Sequence, residues 1–503
     1  MAPLIFSVGF SRLYNESFFL LFPSPRGDDE QYFDHLNVWF SDHRYSPVPA
    51  PHCEAPKNYR GVGSASLWIP GYLLFKWGAH PLKSFLELRD MDDDQFLRIG
   101  AATSNYLIAS AVLLLTFLIL ASYVSVDTNI AFTLVMFFGG LAPYYFFRRP
   151  LMSHAAETFY FILAIYGIER MKIDAAKWAP YLATGFALAG LLCTRFQLLP
   201  VVAVMILLLA YDLRKRWKQF CVMLLVFALP VGLQFLINRL SYGRTLIPPV
   251  EVRPFMTATY LFEIGRIQFQ RIVRLFFGTD WGLVLMFPWI LFVFFLTRRQ
   301  LKSLHPFSAS WLIAPFFSIL PAVNFKAHGA SYGYRYVNVL LIALGFAAAM
   351  GFEGFLQRFK ARRWGYLILA ACFFISLTHY VAFESDKDRF TLLLEANTVE
   401  GPQRIEFITI DSTDWVNGRY SKNVYGLFRH PKLLLEKYGA APLPLYLGHK
   451  LPQVQEYVRR HRINFNSYWR YALMLLFMYL ACFALVAGLW GKRFAESFKS
   501  PRT

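Results

Sequence analysis

Cysteine and charge are both scarce in this sequence, and each shortage excludes a class of protein. Only 5 of the 503 residues are cysteines, and they form no Cys-x-x-Cys or other metal-binding spacing, so no disulfide framework is expected. Charged residues make up 17% of the chain, against about 25% in ordinary globular domains. A chain with so little charge is expected to bury its apolar groups in lipid.

The motifs of several enzyme and transporter classes are also missing. No Gly-x4-Gly-Lys-Ser/Thr loop occurs, which disfavours a nucleotide-driven transporter, and no His-Glu-x-x-His metal motif is present. No repeat of about 20–50 residues stands out, and the N-terminus lacks the basic region and cleavage site of a signal peptide. The only glycosylation sequon is Asn15-Glu16-Ser17, outside the segments predicted below to face outward, which favours a bacterial inner membrane over a eukaryotic lumen.

Apolar and aromatic residues dominate instead, at 56% and 18% of the chain. A hydrocarbon core of about 30 Å requires roughly 17–25 apolar residues per helix. On this measure, membrane spans are predicted near 103–124, 129–147, 152–168, 179–195, 197–211, 219–238, 281–297, 309–323, 336–352, 364–382 and 469–489. We therefore predict an all-α polytopic membrane protein with about 11–12 transmembrane helices.

The stretch 4–22 is a poorer candidate because it carries Arg12 and Glu16. These charges, four residues apart, could neutralise each other inside a bundle. The alternatives are an amphipathic surface helix or an incomplete first span.

The basic residues predict the orientation of the spans. Lys and Arg, which give the chain a net charge of +19, concentrate in short connections between apolar runs, so a nucleic-acid partner is not expected. Alternating the spans puts the most basic connections on one face, the cytoplasmic one: 169–172, 214–218, 298–302 and 358–363. Four segments then face outward: 23–102, 239–280, 324–335 and 383–468.

This topology predicts three regions. Residues 1–382 form a transmembrane catalytic module with an acidic first outward loop (23–102) and an interfacial segment (239–280). Residues 383–468 form a small outward loop domain that could recognise the acceptor, and 469–503 hold the last span and a cytoplasmic tail.

Three adjacent carboxylates begin the first outward segment: Asp28, Asp29 and Glu30. Charges at a membrane edge are costly to desolvate, so a functional role is favoured. One carboxylate could deprotonate an acceptor hydroxyl, and the cluster could bind a divalent cation without requiring one. In an extended loop Asp28 and Glu30 would point one way and Asp29 the other. The alternative is a solvated turn, because Gly-Asp-Asp is common in loops.

The segment around these carboxylates resembles a known enzyme family. Asp28–Phe33, Asn58–Ser64 and Leu67–Pro70 look like the first outward loop of GT-C glycosyltransferases, membrane enzymes akin to protein O-mannosyltransferases and aminoarabinose transferases. In that family a paired acidic motif in this loop lies in the active site, and its Asp is the base or the acceptor-binding group. Three more stretches are similar to the family pattern: Pro150–His154, Thr194–Gln197 and Ser331–Tyr336. The chain departs from the family in its poor first span, 4–22.

A cationic amphipathic segment lies on the same predicted face. In 262–277 apolar residues recur at spacings of three and four, while Arg266, Gln270 and Arg274 occupy another side, which predicts a helix in the membrane interface. Arg271 and Arg274 could bind the phosphate of a lipid-linked donor. The alternative is a general attraction to anionic headgroups.

Ionisable side chains also occur at the outward ends of spans. His154 and Arg195 are two of them, and Gln197 follows closely, although such groups reach water easily and their position alone is weak support for a site. Cations crowded into one turn repel one another unless an anion is present. Such a turn holds Lys326, His328 and Arg335.

The resemblance implies transfer of a sugar from a polyprenyl-phosphate donor, in contact with membrane lipid, to a glycan, lipid or protein acceptor on the periplasmic side. The acidic residues implied as catalytic are Asp29, Asp28 and Glu30. Those implied to bind the donor phosphate are Arg195, Arg335, Lys326, Arg274 and Arg271. Those implied to contact substrate are Tyr32, Arg60, His154, Gln197, His328 and Tyr334.

Two other functions fit the composition. A lipid-linked polysaccharide ligase or polymerase also depends on Arg, although the Asp28-Asp29 pair argues against it. A secondary transporter or lipid flippase would have similar spans. It should show an internal repeat and broken helices near the bilayer midplane, and the sequence indicates neither.

Overall fold

The protein is described by a computed structural model. It describes residues 28–40, 61–148, 150–242, 269–277, 282–297, 300, 306–324, 335–360, 362–377, 469–481 and 484. The predicted loop domain 383–468 and the stretch 4–22 lie outside these residues. Within the described part of the chain every regular element is helical, so the predicted all-α class is confirmed.

The described residues form sixteen α-helices, several joined by short helical turns of other types. The first half contains α1 (Asp28–Phe40), α2 (Gly63–Trp77), α3 (Ala79–Phe85), α4 (Asp93–Leu120), α5 (Val126–Phe138), a π-helical turn (Pro143–Arg148), α6 (Ser153–Ile173), α7 (Ala179–Thr194), a 3-10 turn (Phe196–Leu198) and α8 (Leu199–Asp212). The second half contains a 3-10 turn (Arg214–Arg216), α9 (Trp217–Tyr242), α10 (Phe269–Phe277), α11 (Leu283–Met286), 3-10 Pro288–Phe295, α12 (Pro306–Ile313), 3-10 Ala314–Ser318, α13 (Ile319–Asn324), 3-10 Arg335–Val337, α14 (Asn338–Phe359), α15 (362–377) and α16 (Trp469–Ala481).

Three described helices are long and apolar enough to cross a membrane. They are α4, the segment Arg214–Arg239 that includes most of α9, and α14. Four shorter helices or helical segments are also apolar: α5, α7, Phe196–Asp212 and α16. The composition therefore supports membrane association.

Helix α4 begins ten residues before its predicted span, because its first turn is well capped. The Asp92 side chain accepts a hydrogen bond from the Gln95 backbone N–H at 3.2 Å, and Asp93 and Asp94 follow in the first turn, where carboxylates stabilise the helix dipole. At 1.5 Å per residue the 28 residues extend about 42 Å. The helix thus exceeds the hydrocarbon core of a bilayer, about 30 Å thick, by about 10 Å.

The segment 23–102, predicted as an outward loop, is largely helical where the structure describes it. Helices α1, α2 and α3 and the start of α4 lie in this segment, and α2 crosses α4 closely. A Cβ added to Gly100 would lie 2.7 Å from the backbone oxygen of Gly71, so small residues allow the two backbones to touch. The projecting start of α4 therefore supports α2.

The acidic motif begins helix α1 rather than lying in an extended loop. The alternating directions expected for Asp28, Asp29 and Glu30 are therefore wrong, since successive helical residues are about 100° apart. Helix α1 rests on α2 and α4. The Tyr32 ring meets Trp68 edge-on at 6.5 Å, and the Arg98 guanidinium lies 4.5 Å from the centre of the Phe33 ring.

Three predicted spans are broken, which the apolar pattern did not indicate. The span 129–147 ends as an α-helix at Phe138 and continues only as the π-helical turn. The span 281–297 is the short α11 followed by a 3-10 segment from Pro288, and 309–323 changes to 3-10 geometry near Pro315. Proline lacks the N–H of an α-helical bond and clashes with the preceding turn, which accounts for the last two breaks.

A buried polar network joins the predicted cytoplasmic ends of three elements. The Glu169 carboxylate near the end of α6 accepts a hydrogen bond from Trp311 Nε1 of α12 at 2.8 Å and another from the Tyr123 hydroxyl. Lys172 bonds to Glu169 and, at 2.6 Å, to the Ser308 hydroxyl. A buried carboxylate satisfied in this way stabilises the bundle, because each partner compensates part of its desolvation.

Candidate functional site

A buried cluster of charged side chains lies where α6 begins and α7 ends. His154 is the second residue of α6, and Glu157 follows one turn later on the same face. Arg195 caps the end of α7 in an extended conformation, with φ −147° and ψ 101°. This change of backbone direction takes the Arg195 side chain off the α7 axis and onto α6.

The three side chains are in direct contact. Arg195 Nη1 donates to Glu157 Oε2 at 3.0 Å and lies 2.6 Å from His154 Nδ1. The same Nδ1 is 3.2 Å from Glu157 Oε2. A neutral imidazole can therefore accept from Arg195, whereas a protonated one can donate to Glu157. The cluster can bind an anion and also exchange a proton.

Burial makes these contacts strong. His154 is 2%, Glu157 0% and Arg195 8% exposed, so the charges meet with little screening by water. Aromatic rings surround them: the Tyr145 ring lies 4.2 Å from the His154 ring, and the Arg195 guanidinium lies 5.1 Å from the centre of the Tyr336 ring. These rings orient the imidazole and the guanidinium.

The glycine-rich motif predicted from the sequence lies against this cluster. A Cβ added to Gly63 would lie 2.6 Å from the backbone nitrogen of Thr194, the residue that precedes Arg195. The Val62 backbone N–H donates to Gln234 Oε1 of α9 at 2.8 Å. The start of α2 is therefore held between the end of α7 and helix α9.

The acidic turn of α1 points towards the same end of the bundle. Asn37, late in α1, bonds at 3.0 Å to Asp94 in the first turn of α4, and the earlier Phe33 lies under Arg98. Helices α1 and α4 are therefore antiparallel, so that earlier residues of α1 lie beside later residues of α4. Further along α4, the Asn105 side chain donates to the Pro150 carbonyl, four residues before His154. The Asp28 end of α1 is accordingly directed to the level of the cluster.

The structure brings several predicted site residues together. His154 and Arg195 touch, and Gln197 is buried in the 3-10 turn that follows. Tyr32 is buried against Trp68, so it has a packing role in α1.

The other predicted residues are placed only in part. Arg335 begins the 3-10 turn that contains Tyr336, and Arg271 and Arg274 lie on α10, although their side chains are outside the described part of the structure. The same holds for the side chains of the acidic motif. Four predicted residues lie wholly outside the described ranges: Arg60, Lys326, His328 and Tyr334.

Sequence reasoning missed Glu157 and Tyr145. Glu157 is the only acidic residue within the predicted span 152–168, and its spacing of three from His154 places both on one helix face. An ionisable residue inside an apolar span is a functional-site signal in itself. Tyr145 gave no such signal, because it lies in an aromatic run that resembles ordinary lipid-facing sequence.

A small cavity with a mostly apolar lining adjoins α6 next to the cluster. The Thr158 hydroxyl donates to the His154 carbonyl at 2.8 Å and accepts from the Asn338 side chain at 2.9 Å. Both residues line a cavity of about 30 Å³, with Thr116 and Trp289 on other sides. That volume holds about one water molecule.

No group of three or more potential metal ligands occurs among the described residues, and the cation considered for the acidic motif stays a prediction. No protein-family model, curated protein or solved structure matches this chain. The function proposed below therefore rests on the geometry of this site and on the motifs in the sequence.

Proposed function

We propose that this chain is a polytopic glycosyltransferase of the GT-C type. It would transfer a sugar from a polyprenyl-phosphate donor to an acceptor at the periplasmic face of a bacterial inner membrane. One observation carries the proposal: the glycine motif at Gly63, His154 and Arg195, which are far apart in sequence, meet at one end of the bundle. They belong to three of the stretches that resemble this family.

The membrane topology is part of the same proposal. About 11–12 spans are expected from the apolar runs, and three described helices have the length and composition of a span. The basic connections favour a cytoplasmic position for the opposite end of the bundle. The cluster would then lie at the outward membrane surface, where a lipid-linked donor exposes its sugar.

Arg195 would stabilise the phosphate leaving group. Its guanidinium has five N–H donors in a fixed fork that suits phosphate oxygens, and Nη1 is positioned by Glu157 and His154. Glu157 fixes the guanidinium before the donor arrives, and pre-organised charge is effective where negative charge develops in the transition state. Arg335, Lys326, Arg274 and Arg271 are proposed to assist.

The reaction would be a direct displacement. The acceptor hydroxyl oxygen forms a bond to the anomeric carbon, and the bond from that carbon to the phosphate oxygen breaks. The phosphate leaves with the electron pair, and the hydroxyl proton passes to Asp29 or Asp28 acting as general base. Attack from the side opposite the phosphate inverts the anomeric centre.

A transporter or lipid flippase is the second candidate, because two predicted spans are interrupted in the described part of the chain. The π-helical turn Pro143–Arg148 and the 3-10 segment Pro288–Phe295 interrupt them. Trp289 of the second segment lines the small cavity together with Asn338 of α14. Interrupted helices near the bilayer midplane are typical of transport sites.

A transfer assay separates these functions. Membranes with wild-type protein, Asp29→Asn, Asp28→Asn or the control Asp127→Asn are supplied with radiolabelled polyprenyl-phosphate sugars. Asp127 is exposed at the other end of the bundle, so its variant should keep full activity. Loss of a general base should lower the rate at least roughly 100-fold.

The outcome decides between the candidates. If both acidic-motif variants are as active as wild type, the proposed base is wrong. If wild type transfers no sugar from any donor, the glycosyltransferase proposal is wrong and the transporter becomes the better candidate. Arg195→Lys keeps the positive charge but loses the forked guanidinium. We expect it to raise the activation free energy of transfer by more than it lowers the free energy of unfolding.

A further inference from the structure

A basic, aromatic turn lies at the opposite end of the bundle from the His154 cluster. Helix α8 starts beside the cluster, contains 14 residues and ends at Asp212, a distance of about 20 Å. The 3-10 turn Arg214–Arg216 then leads into α9. The cluster and this turn are therefore separate surfaces, which we call the outward site and the basic turn (Tyr211–Lys218).

The basic turn is built around one anchored arginine. Arg216 Nη1 donates to the Met171 carbonyl at 3.4 Å and to the Tyr181 hydroxyl at 3.5 Å. This attaches the turn to the end of α6 and the start of α7. The cations on either side, Arg214, Lys215 and Lys218, are exposed.

Aromatic side chains accompany these cations at the surface. Tyr211 is 67% and Trp217 61% exposed. The Arg214 guanidinium lies 4.3 Å from the centre of the Tyr211 ring, and Lys218 Nζ lies 5.9 Å from the Trp217 ring. Such pairs of rings and cations are enriched where a helix leaves the bilayer.

The neighbouring surface of α9 is apolar. Leu225, Leu229 and Leu233 are 59%, 64% and 56% exposed, and their spacing of four residues forms one stripe that continues from the basic turn. An occupant that covers both parts must combine a negatively charged head with an apolar tail. A free phosphate ion would meet only the first requirement.

We propose that the basic turn and the leucine stripe bind an acidic phospholipid, such as phosphatidylglycerol. The phosphate contacts Arg214 and Lys218, the Trp217 ring lies at the level of the glycerol, and the acyl chains cover Leu225 and Leu229. This proposal requires α9 to cross the membrane but does not require glycosyl transfer. It gives the protein a specific lipid at its cytoplasmic surface.

Native mass spectrometry can measure this binding in mixed detergent micelles. Wild-type protein, the double variant Arg214→Gln/Lys218→Gln, and the control Lys76→Gln/Arg89→Gln are titrated with phosphatidylglycerol or phosphatidylcholine. The control removes the same charge from α2 and from the residues after α3. Each cation near a membrane surface contributes enough that losing two should weaken phosphatidylglycerol binding about 30-fold.

The expected result is a selective loss. The double variant binds phosphatidylglycerol about 30-fold more weakly, the control is unchanged, and 0.5 M salt (roughly a 4 Å screening length) reduces the wild-type preference. Unchanged affinity in the double variant, an equal loss in the control, or equal wild-type affinity for both lipids would overturn the proposal. Lys215→Gln/Lys218→Gln serves as a second variant if the first does not fold. Sugar transfer is not measured, so the outcome is independent of the proposed enzyme activity.

Discussion

The side chains of Glu157 and Arg195 should be strongly coupled in their effect on stability, and this coupling energy can be measured. The nitrogen and oxygen are 3.0 Å apart, and both side chains are buried. With an effective dielectric constant of about 20, unit charges at that distance attract by about 5 kcal/mol. Part of this attraction offsets the cost of removing both charges from water, so the net contribution of the pair is smaller.

The asymmetry between single and double replacements is the quantity to test. Glu157→Leu leaves a buried guanidinium, and Arg195→Met leaves a buried carboxylate. Each should lower the free energy of unfolding by about 3–5 kcal/mol. The double variant leaves neither charge. Its loss of unfolding free energy should be smaller than the sum of the losses in the two single variants, by at least about 2 kcal/mol.

The assay is unfolding in mixed micelles by titration with sodium dodecyl sulfate, followed by circular dichroism of the helices. A matched control cycle uses Asp127→Ala and Arg362→Ala, since these two side chains form an ion pair in which each is 62% exposed. Exposed pairs couple by about 0–1 kcal/mol. If the buried pair couples no more strongly than this exposed pair, the assumed burial of the cluster is wrong.

Two further predictions concern other parts of the bundle. Gly63→Ala places a Cβ 2.6 Å from the backbone nitrogen of Thr194, so it should lower the thermal midpoint in detergent, and an unchanged midpoint would contradict this packing. The pKa of Asp174 is lowered by a hydrogen bond from Lys177 and then by the charge of Arg170. Because this carboxyl has a lower pKa in the folded than in the unfolded state, its charge stabilises the fold at pH values above the ordinary Asp pKa of about 4. That stabilisation is lost as the pH falls below about 4. Unfolding measured from pH 5 to about 2.5 should show the loss in wild type and not in Asp174→Asn.

The sequence predicted the helices best where an apolar run is uninterrupted. The span predicted at 179–195 corresponds to Ala179–Thr194, because nothing in that run competes with the α-helix. The prediction of an intact α-helix failed at 281–297, because Pro288 changes the helix type there while the residues remain apolar. Hydropathy measures transfer to lipid and is insensitive to hydrogen-bond geometry, so it cannot distinguish an intact span from a broken one.

The site was predicted in parts. His154 and Arg195 were singled out as ionisable residues at the outward ends of predicted spans, in stretches similar to the family pattern. Their contact could not be predicted, because it depends on the direction in which the chain leaves α7 at Arg195, with ψ near 101°. The helical state of the acidic motif was also missed, since its Asp and Gly residues are typical of turns.

The hydrogen bond from Val62 to Gln234 has a consequence for biosynthesis. It joins residues 172 positions apart, and Gln234 lies near the middle of α9. At about 5–20 residues per second, a ribosome needs roughly 10–30 s to make that stretch. During this time the glycine motif has emerged but its hydrogen-bond partner on α9 has not. A nascent chain that stalls before α9 would therefore carry every predicted catalytic carboxylate, and also His154, Glu157 and Arg195, while Val62 still lacks the bond that holds the start of α2.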